Sequence, residues 1–331
     1  MHQLTLRGTP TQMGEQHGAI MAKVEPQLPP TNTQMMAFAE ACEKLVLQYT
    51  PELVEEMRAF ADAAQLPYDA LQSMMLAMPV QQNVPSCSVV AVMPERSADG
   101  KLLVGRNYDF TYGISWDAAT MYTTYPVDGH AHIGNSDIWI GREDGLNDAG
   151  LFVAISATFL PGVQAGIPFW YIVRHLLEYC TTVVEALAWI QSIPHSQSRN
   201  YMLADATRAV VVEASIEGVY VREPEDGVLV MTNHPAHPAL AARNPFRPHD
   251  SPIRYDRLRA LGTSDDGGVT LDDMKAALND RVNCVCAHGT VFDQPFGTIW
   301  SVIARPEDRH IAIAQGTGDN NGTMTYRDHE I

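Results

Sequence analysis

The stretch NVPSCSVVAVMPERSADGKLLVGRNYD, residues 83–109, is the most informative part of the sequence for predicting the fold. A region of helical pattern ends at residues 83–86, and a strand-like run of β-branched and small apolar residues follows over 87–93. A second strand-like run covers 102–110. The segment Ala98-Asp99-Gly100-Lys101 between the two runs has the composition of a tight turn. The stretch therefore predicts a β-hairpin whose first strand begins with a cysteine.

Closing this hairpin brings Arg106 and Asp109 back towards Cys87, and the three residues form a candidate catalytic group. A cysteine attacks as a thiolate, which forms near neutral pH only beside positive charge or an adjacent base. Arg106 can supply that charge because a guanidinium does not deprotonate, and Asp109 can orient an ammonium or an arginine. The spacing alone fits equally well a hairpin carrying a surface Arg–Asp ion pair, which contributes little.

Outside the hairpin, helical and strand-like patterns occur in separate blocks. Residues 1–83 are mostly helical in pattern, with one helix expected to start at Thr50-Pro51. Other helical patterns cover 33–47, 68–78, 168–193, 252–260 and 271–278, and strand-like runs cover 121–125, 151–157, 201–204, 209–214, 218–222, 228–232, 298–304 and 310–314. Such segregation favours an α+β fold of stacked antiparallel sheets covered by helices over a doubly wound parallel sheet.

Composition narrows the classes of partner and compartment. Lys and Arg total 22 against 39 Asp and Glu, a net charge of −17, so we expect no nucleic acid and no anionic membrane as partner. The chain shows no apolar run long enough for a signal peptide or a membrane span. Its five cysteines are too few and odd in number for a disulfide framework. We therefore expect a soluble, cytoplasmic, reduced protein.

Several short motifs recur in the order found in one enzyme group. They are Gly14-Glu15-Gln16-His17-Gly18, Pro85-Ser86-Cys87-Ser88, Gly105-Arg106-Asn107-Tyr108-Asp109, Asp144-Gly145-Leu146-Asn147-Asp148-Ala149-Gly150-Leu151, the run 200–205 with 211–213, Thr232-Asn233-His234, Ser251-Pro252-Ile253-Arg254, and Cys286-Ala287-His288. In this order they resemble the N-terminal-nucleophile (Ntn) amide hydrolases. More narrowly, they resemble the penicillin acyl-coenzyme A acyltransferase-like branch, which is related to choloylglycine hydrolase and other linear amide C–N hydrolases.

The resemblance implies an αββα sandwich in which two antiparallel sheets are flanked by helices. It implies a single compact domain with a helical segment 1–86, a light subunit or propeptide, and a catalytic segment 87–331. The chain would cut itself between Ser86 and Cys87. The resemblance implies no cofactor and no metal, and a small-molecule amide as the partner; it leaves a homo-oligomer open.

Roles follow from the resemblance position by position. Cys87 matches the nucleophile, Arg106 and Asp109 the pair that positions and tunes it, Asn233 the side-chain oxyanion donor, and Arg254 the arginine that braces the site. Ala157 stands where the bile-salt enzymes have an asparagine whose backbone amide helps to bind the oxyanion; a backbone donor survives that change. The fungal penicillin enzyme has glycine before its nucleophile, whereas this chain has Ser86.

The residue types suit this chemistry without the resemblance. A cut before Cys87 gives that residue a free α-amine with an ordinary pKa of ~7.7–8.0, which can act as a base at neutral pH. Nucleophile and base then belong to one residue, and no separate histidine is needed. We favour hydrolysis of a linear amide in a small N-acyl compound. Acyl transfer from a thioester or amide to an amine is the alternative.

Three other interpretations fit the sequence less well. The first is a metal site at Cys284, Cys286 and His288, which stand at alternate positions and would share one face of a strand. Their spacing differs from that of structural zinc sites, and no fourth ligand lies near. A papain-type protease would carry a Cys-Gly-Ser-Cys-Trp signature, which the chain lacks. A small-molecule binder would not need Cys87 together with its partner residues. A thiol of low pKa at Cys87, alkylated by iodoacetamide below neutral pH, would separate an enzyme from a binder.

Overall fold

The computed structural model describes residues 1–77, 86–244, 246–263, 267–291, 293–318 and 322–331. The end of the predicted helix 68–78 and most of the predicted junction 83–86 lie outside these ranges. The helices are α1 (Pro10–Met21), α2 (Thr33–Tyr49), α3 (Pro51–Ala64), α4 (Tyr68–Ala77), α5 (Ile114–Ala118), α6 (Phe169–Tyr179), α7 (Val183–Ser192), α8 (Pro238–Ala241), α9 (Ser251–Arg259) and α10 (Leu271–Leu278).

The strands follow the blocks expected from the sequence, with additions. They are β1 (His2–Gly8), β2 (Ser86–Val92), β3 (Leu103–Thr111), β4 (Thr120–Pro126), β5 (His132–Ser136), β6 (Asp144–Asn147), β7 (Phe152–Ala157), β8 (Arg199–Ala204), β9 (Ala209–Ser215), β10 (Gly218–Arg222), β11 (Val228–Met231), β12 (His288–Val291), β13 (Gln294–Arg305), β14 (His310–Gln315) and β15 (Arg327–His329). The sequence did not reveal β1, β5, β6, β12 or β15.

Two sheets face each other and form the centre of the molecule. In the described ranges the first sheet has the strand order β1-β4-β5-β6-β7-β8-β9-β10, and the second has the order β11-β2-β3-β13-β14-β15 with β12 paired to β13. Apolar side chains of β2, β3 and β13 pack against those of β7, β8 and β9 in the core between the sheets. Neighbouring strands run antiparallel, apart from the parallel pair β1 and β4.

Helices cover the outer face of each sheet. The apolar sides of α2, α3, α4, α6 and α7 pack on the first sheet, and those of α9 and α10 pack on the second. This arrangement is the four-layer αββα sandwich that the sequence led us to expect. No helix among the described residues is long and apolar enough to cross a bilayer.

Two local expectations were wrong. The helix expected over 168–193 is two helices: the first ends where Cys180 adopts an extended backbone, and Thr182 caps the second by accepting a hydrogen bond from the Glu185 backbone. The start of the chain is a strand, not a helix. Leu4 and Leu6 alternate with exposed residues along it, a period of two that suits an edge strand.

The motif Gly14-Glu15-Gln16-His17-Gly18 joins α1 to α3. A Cβ added at Gly14 would lie 2.3 Å from the carbonyl oxygen of Glu56, and one at Gly18 would lie 2.5 Å from that of Phe60. The two glycines therefore let the helix backbones approach closely. His17 is buried beside them, with its ring edge towards Phe60 at 4.9 Å between centroids. This motif serves helix packing and lies apart from the residues around Cys87.

Candidate active site

The hairpin formed by β2 and β3 places the candidate nucleophile. Cys87 lies opposite Tyr108 in the antiparallel ladder, Val89 opposite Arg106, and Ser86 opposite Asp109. Because side chains alternate along a strand, Cys87 and Arg106 share the face towards the other sheet, while Asp109 lies on the face towards the helices. The backbone of Asp109 lies close enough to Cys87 to lower the pKa of its thiol, although burial outweighs this effect. The hairpin expected from the sequence is thus confirmed.

Arg106 is fully buried and its acid partner is Asp144 on the neighbouring sheet. The Asp144 carboxylate also accepts hydrogen bonds from Trp300 Nε1 and Asn135 Nδ2, each at 2.7 Å. These contacts fix the guanidinium between the two sheets. Asp109 is also fully buried, so the two residues of the hairpin are not a surface ion pair.

The Asp109 carboxyl is only partly satisfied. Thr298 Oγ1 donates to its Oδ1 at 2.7 Å, whereas its buried Oδ2 has no hydrogen-bond partner among the described residues. Burial raises the pKa of Asp109 to about 7, against the opposing effect of the positive charge on Arg254. This carboxyl can therefore exchange a proton near neutral pH.

Asn233 connects Cys87 to neighbouring elements through hydrogen bonds. Its Oδ1 accepts from the Cys87 backbone N–H at 2.8 Å, and its Nδ2 donates to the Ala157 carbonyl oxygen at 3.1 Å. Its own backbone N–H donates to Ser251 Oγ at 2.9 Å, which holds the turn in place. One side chain thereby links the peptide of the nucleophile to the strand that ends at Ala157.

Arg254 on α9 braces this arrangement. Its Nη1 donates to the Cys87 carbonyl oxygen at 2.6 Å and to Ser88 Oγ at 2.9 Å. Its Nη2 donates to Asn233 Oδ1 at 2.9 Å, and Asp250 accepts from its Nε at 2.9 Å. The planar fork of one guanidinium thus aligns both Cys87 and Asn233, a geometry that a lysine cannot reproduce.

The thiol of Cys87 is held in its neutral form. Cys87 is 1% exposed, and burial raises the pKa of its thiol to about 11. Arg106 lowers that pKa, but Asp109 and Glu143 raise it further. The low thiol pKa considered from the sequence is therefore not a property of the continuous chain, because burial outweighs a guanidinium whose charge already faces Asp144.

The Cys286-Ala287-His288 element does not form a strand that presents ligands on one face. Cys284 has a left-handed backbone with φ of 59°, and β12 begins only at His288, which is exposed. Cys286 is buried and its sulfur lies 3.8 Å from Thr298 Oγ1. Within the ranges that the structure describes, no three His, Cys, Asp or Glu side chains form a metal-binding group.

The structure thus brings together all the residues singled out from the sequence, namely Ser86, Cys87, Arg106, Asp109, Ala157, Asn233 and Arg254. Sequence reasoning missed their buried partners. Asp144 stands first in the quoted motif Asp144 to Leu151, and its place in that motif was a usable signal. Thr298 lies within β13, and Ser251 begins α9 in a quoted motif, but nothing in the sequence showed that either side chain would support the site.

A protein-family model and a relative match the sequence of this chain. The family model described as acyl-coenzyme A:6-aminopenicillanic acid acyl-transferase matches residues 96–320. That segment contains Arg106, Asp109, Asn233 and Arg254 and begins downstream of Cys87. An uncharacterized protein of Archaeoglobus fulgidus is 21% identical over 375 residues, which cover 90% of this chain and 62% of that protein. The chain therefore spans less than two thirds of that relative's length.

Several solved structures align with most of this chain. A conjugated bile acid hydrolase variant from Clostridium perfringens aligns over 74% of this chain and 97% of its own, at 16% identity and a TM-score of 0.51. A Caenorhabditis elegans ortholog of N-acylethanolamine-hydrolyzing acid amidase covers 66% and 93% of the two chains, at 15% identity and a TM-score of 0.48. Penicillin V acylase from Agrobacterium tumefaciens covers 73% and 86%, at 13% identity and a TM-score of 0.48. The first of these shows the Ntn-hydrolase fold.

Proposed function

Because the chain belongs to the acyl-coenzyme A:6-aminopenicillanic acid acyl-transferase family and has the Ntn-hydrolase fold, we propose that it is a self-processing cysteine amide hydrolase. Cys87 is the nucleophile of this proposal, and a linear amide bond of a small N-acyl compound is the substrate. The sparse, odd-numbered cysteines are also why we keep a cytoplasmic location as part of the proposal.

One observation carries the proposal: Asn233 and Arg254 hold the two ends of the Cys87 residue. Asn233 accepts from its N–H at 2.8 Å and Arg254 donates to its C=O at 2.6 Å. All three residues are fully or almost fully buried. The packing of a strand does not require a buried arginine and a buried amide to hold the backbone of one cysteine. A nucleophile does require such positioning.

Self-processing would begin with the thiol of Cys87. Its sulfur attacks the carbonyl carbon of Ser86, the C–N bond between the two residues breaks, and the nitrogen of Cys87 takes up a proton. Water then hydrolyses the thioester and releases the Ser86 carboxylate and the free thiol. The proton that the thiol loses is thus the one that the nitrogen gains. Asp109 lies opposite Ser86, on the other face of the sheet from the thiol, and with a pKa near 7 its carboxyl can exchange a proton at the scissile peptide.

Turnover would use the α-amine that the cut creates. This amine takes the thiol proton, and the thiolate attacks the amide carbonyl of the substrate. Asn233 Nδ2 would exchange its present acceptor, the Ala157 carbonyl, for the developing oxyanion. A backbone N–H at Ala157 is the second donor of the proposal. Such donors typically contribute about 2.7–4 kcal/mol each. The leaving amine receives the proton, and water resolves the thioester.

Acyl transfer to an amine is the alternative, and the charge of the chain argues against a coenzyme A donor. A net charge of −17 repels a polyanion. A transferase must also position its acceptor well enough to compete with water at ~55 M. A small neutral or cationic amide fits this surface better.

Product analysis tests the proposal. Purified protein is incubated with simple N-acyl p-nitroanilides, with and without an amine acceptor at millimolar concentration. Hydrolysis predicts release of the free acid, with only a minor fraction of acyl groups diverted to the amine. If most acyl groups end on the acceptor, or if only coenzyme A thioesters acylate Cys87, then acyl transfer is the activity. If no amide or thioester is turned over, the enzyme proposal fails.

A further inference from the structure

A second polar cluster lies beside Cys87 and takes no part in the mechanism above. It consists of Tyr108, Asp137 and Glu143, and we call it the acidic cluster. The Tyr108 hydroxyl is 3.0 Å from Asp137 Oδ2 and 3.4 Å from Glu143 Oε1. Tyr108 is the residue directly across the ladder from Cys87. The two carboxyl groups therefore lie one tyrosine side chain away from the nucleophile.

Both carboxyl groups of the acidic cluster lie within hydrogen-bonding reach of the same Tyr108 hydroxyl, and the charge of Asp137 disfavours ionisation of Glu143, so the pair favours holding one proton between them. Burial raises the pKa of both groups, and their mutual repulsion adds to the effect on Glu143. The positive charge of Arg106 opposes this increase at Glu143, but Arg106 is already paired with Asp144. Arg199 also faces Glu143 and Cys87.

Glu143 has an acceptor that the protein leaves unused. The side chain is 4% exposed, yet no N–H or O–H of the described residues donates to its Oε2. A buried acceptor without a donor costs free energy unless something supplies the missing hydrogen bond. Asp137 is the more exposed member of the pair, so it marks the side from which a ligand would enter.

From this geometry we infer that the acidic cluster is a subsite for a cationic group of the substrate, an ammonium or a guanidinium. The inference rests on the proposed function for its reaction and names the substrate class: amides that carry a positive charge near the scissile bond. Such a cation supplies the donor that Glu143 Oε2 lacks and takes the place of the shared proton between the two carboxyl groups. A chain of net charge −17 attracts such substrates as well.

Binding of small cations tests the subsite without any catalysis. Wild-type protein is titrated with butyl-, pentyl- and hexylammonium and with the alcohols of the same lengths, by calorimetry. We expect at least one ammonium to bind about tenfold or more tightly than its alcohol. Glu143→Gln and the more accessible Asp137→Asn should each remove that difference. Glu307→Gln, which removes one exposed surface charge, should preserve it.

Equal binding of ammonium and alcohol would overturn the inference, because the acidic cluster would then be a structural pair. An equal loss in all three variants would overturn it too, since general surface attraction would explain the preference. These titrations need no turnover, so they decide the subsite even if no amide is cleaved.

Substrate pairs then place the cation relative to the scissile bond. One series carries the ammonium at the end of acyl chains of two to six carbons, and the other carries it on the leaving amine; each compound has an uncharged analogue of equal length. Cleavage of uncharged amides without any preference for the charged partner contradicts the subsite and leaves the hydrolase proposal standing. Cation binding without cleavage of any series contradicts the hydrolase proposal and leaves the subsite standing.

Discussion

The side-chain oxygen of Asn233 accepts a hydrogen bond from the backbone N–H of Cys87 at 2.8 Å, across 146 positions of sequence. That nitrogen is the atom that a cut before Cys87 would convert into an α-amine. The continuous chain therefore already holds this atom in the contact that a free amine would need. Arg254 donates to the same Asn233 oxygen at 2.9 Å, so the position of the amide depends on the guanidinium.

Arg254→Lys tests this dependence. A lysine keeps the charge but cannot donate at once to Cys87, Ser88 and Asn233, so we expect self-cleavage and amide hydrolysis to slow by about 100-fold. Arg257→Lys is the matched control, because Arg257 lies on the same helix and forms a partly exposed ion pair with Asp280. The control should stay within about twofold of wild type. Equal effects of the two changes would remove Arg254 from the site.

Asp109→Asn separates a catalytic carboxyl from a structural one. The amide keeps the shape and the hydrogen bond from Thr298 but cannot accept a proton, so we expect kcat/KM to fall by about 100-fold or more. The urea midpoint at neutral pH should not fall, because the neutral amide avoids the cost of keeping a carboxyl of ordinary pKa 3.8 buried at that pH. Turnover within about twofold of wild type would show that the carboxyl has no part in the reaction.

The raised pKa of Asp109 also predicts a pH dependence of stability. Its pKa is about 7 in the folded chain against an ordinary 3.8, so the folded state binds the proton more tightly. This stabilising contribution is complete below about pH 4 and is lost as pH rises through about 7. In a Cys87→Ala background, Asp109→Asn should therefore gain free energy of unfolding relative to its parent between pH 4.5 and pH 8.

The control for that comparison is Asp99→Asn. The pKa of the exposed Asp99 is lowered, with its hydrogen bonds from Ser97 and Lys101 favouring the charged form. The sign and the pH window therefore differ: this variant should lose a little stability relative to its parent only as pH rises towards about 4, and the difference should stay constant between pH 4.5 and pH 8. Parallel curves for the Asp109 and Asp99 variants would contradict the raised pKa of Asp109.

The segment before Cys87 should remain bound after a cut. Strand β1 pairs with β4 over seven residues, and α1 packs closely on α3 at Gly14 and Gly18. In addition, α2, α3 and α4 bury their apolar sides against the first sheet. We therefore expect the two fragments to co-elute in native size-exclusion chromatography and to separate only in denaturant. Release of the small fragment in native buffer would make it a dispensable propeptide.

Much of the site could be predicted because several of its residues lie close together in the sequence. The hairpin of β2 and β3 depends on two alternating runs and a turn, so Cys87, Arg106 and Asp109 could be placed together from the sequence. Asn233 and Arg254 came from motif resemblance alone, since nothing in spacing shows which distant turn or helix meets a strand. The structure brings both to Cys87 through tertiary packing of the two sheets and α9.

Other features depend on the three-dimensional environment and could not be predicted. The raised thiol pKa of Cys87 arises from burial between two sheets, which no run of residues reveals. The pairing of Arg106 with Asp144 crosses from one sheet to the other. The break between α6 and α7 was hidden by an apolar stripe that continues through both helices, while the extended backbone at Cys180 ends the first helix and a capping contact at Thr182 starts the second.

The most direct test of the central claim is the intact mass of purified protein in denaturant. We predict two polypeptides whose masses sum to 36.4 kDa plus one water, the larger beginning at Cys87. Cys87→Ala should give one chain, whereas Cys180→Ala, which alters a buried cysteine on the far side of the first sheet, should be cut as wild type is. A single uncut wild-type chain that hydrolyses amides would contradict the account, and so would a Cys87→Ala variant that is still cut before residue 87.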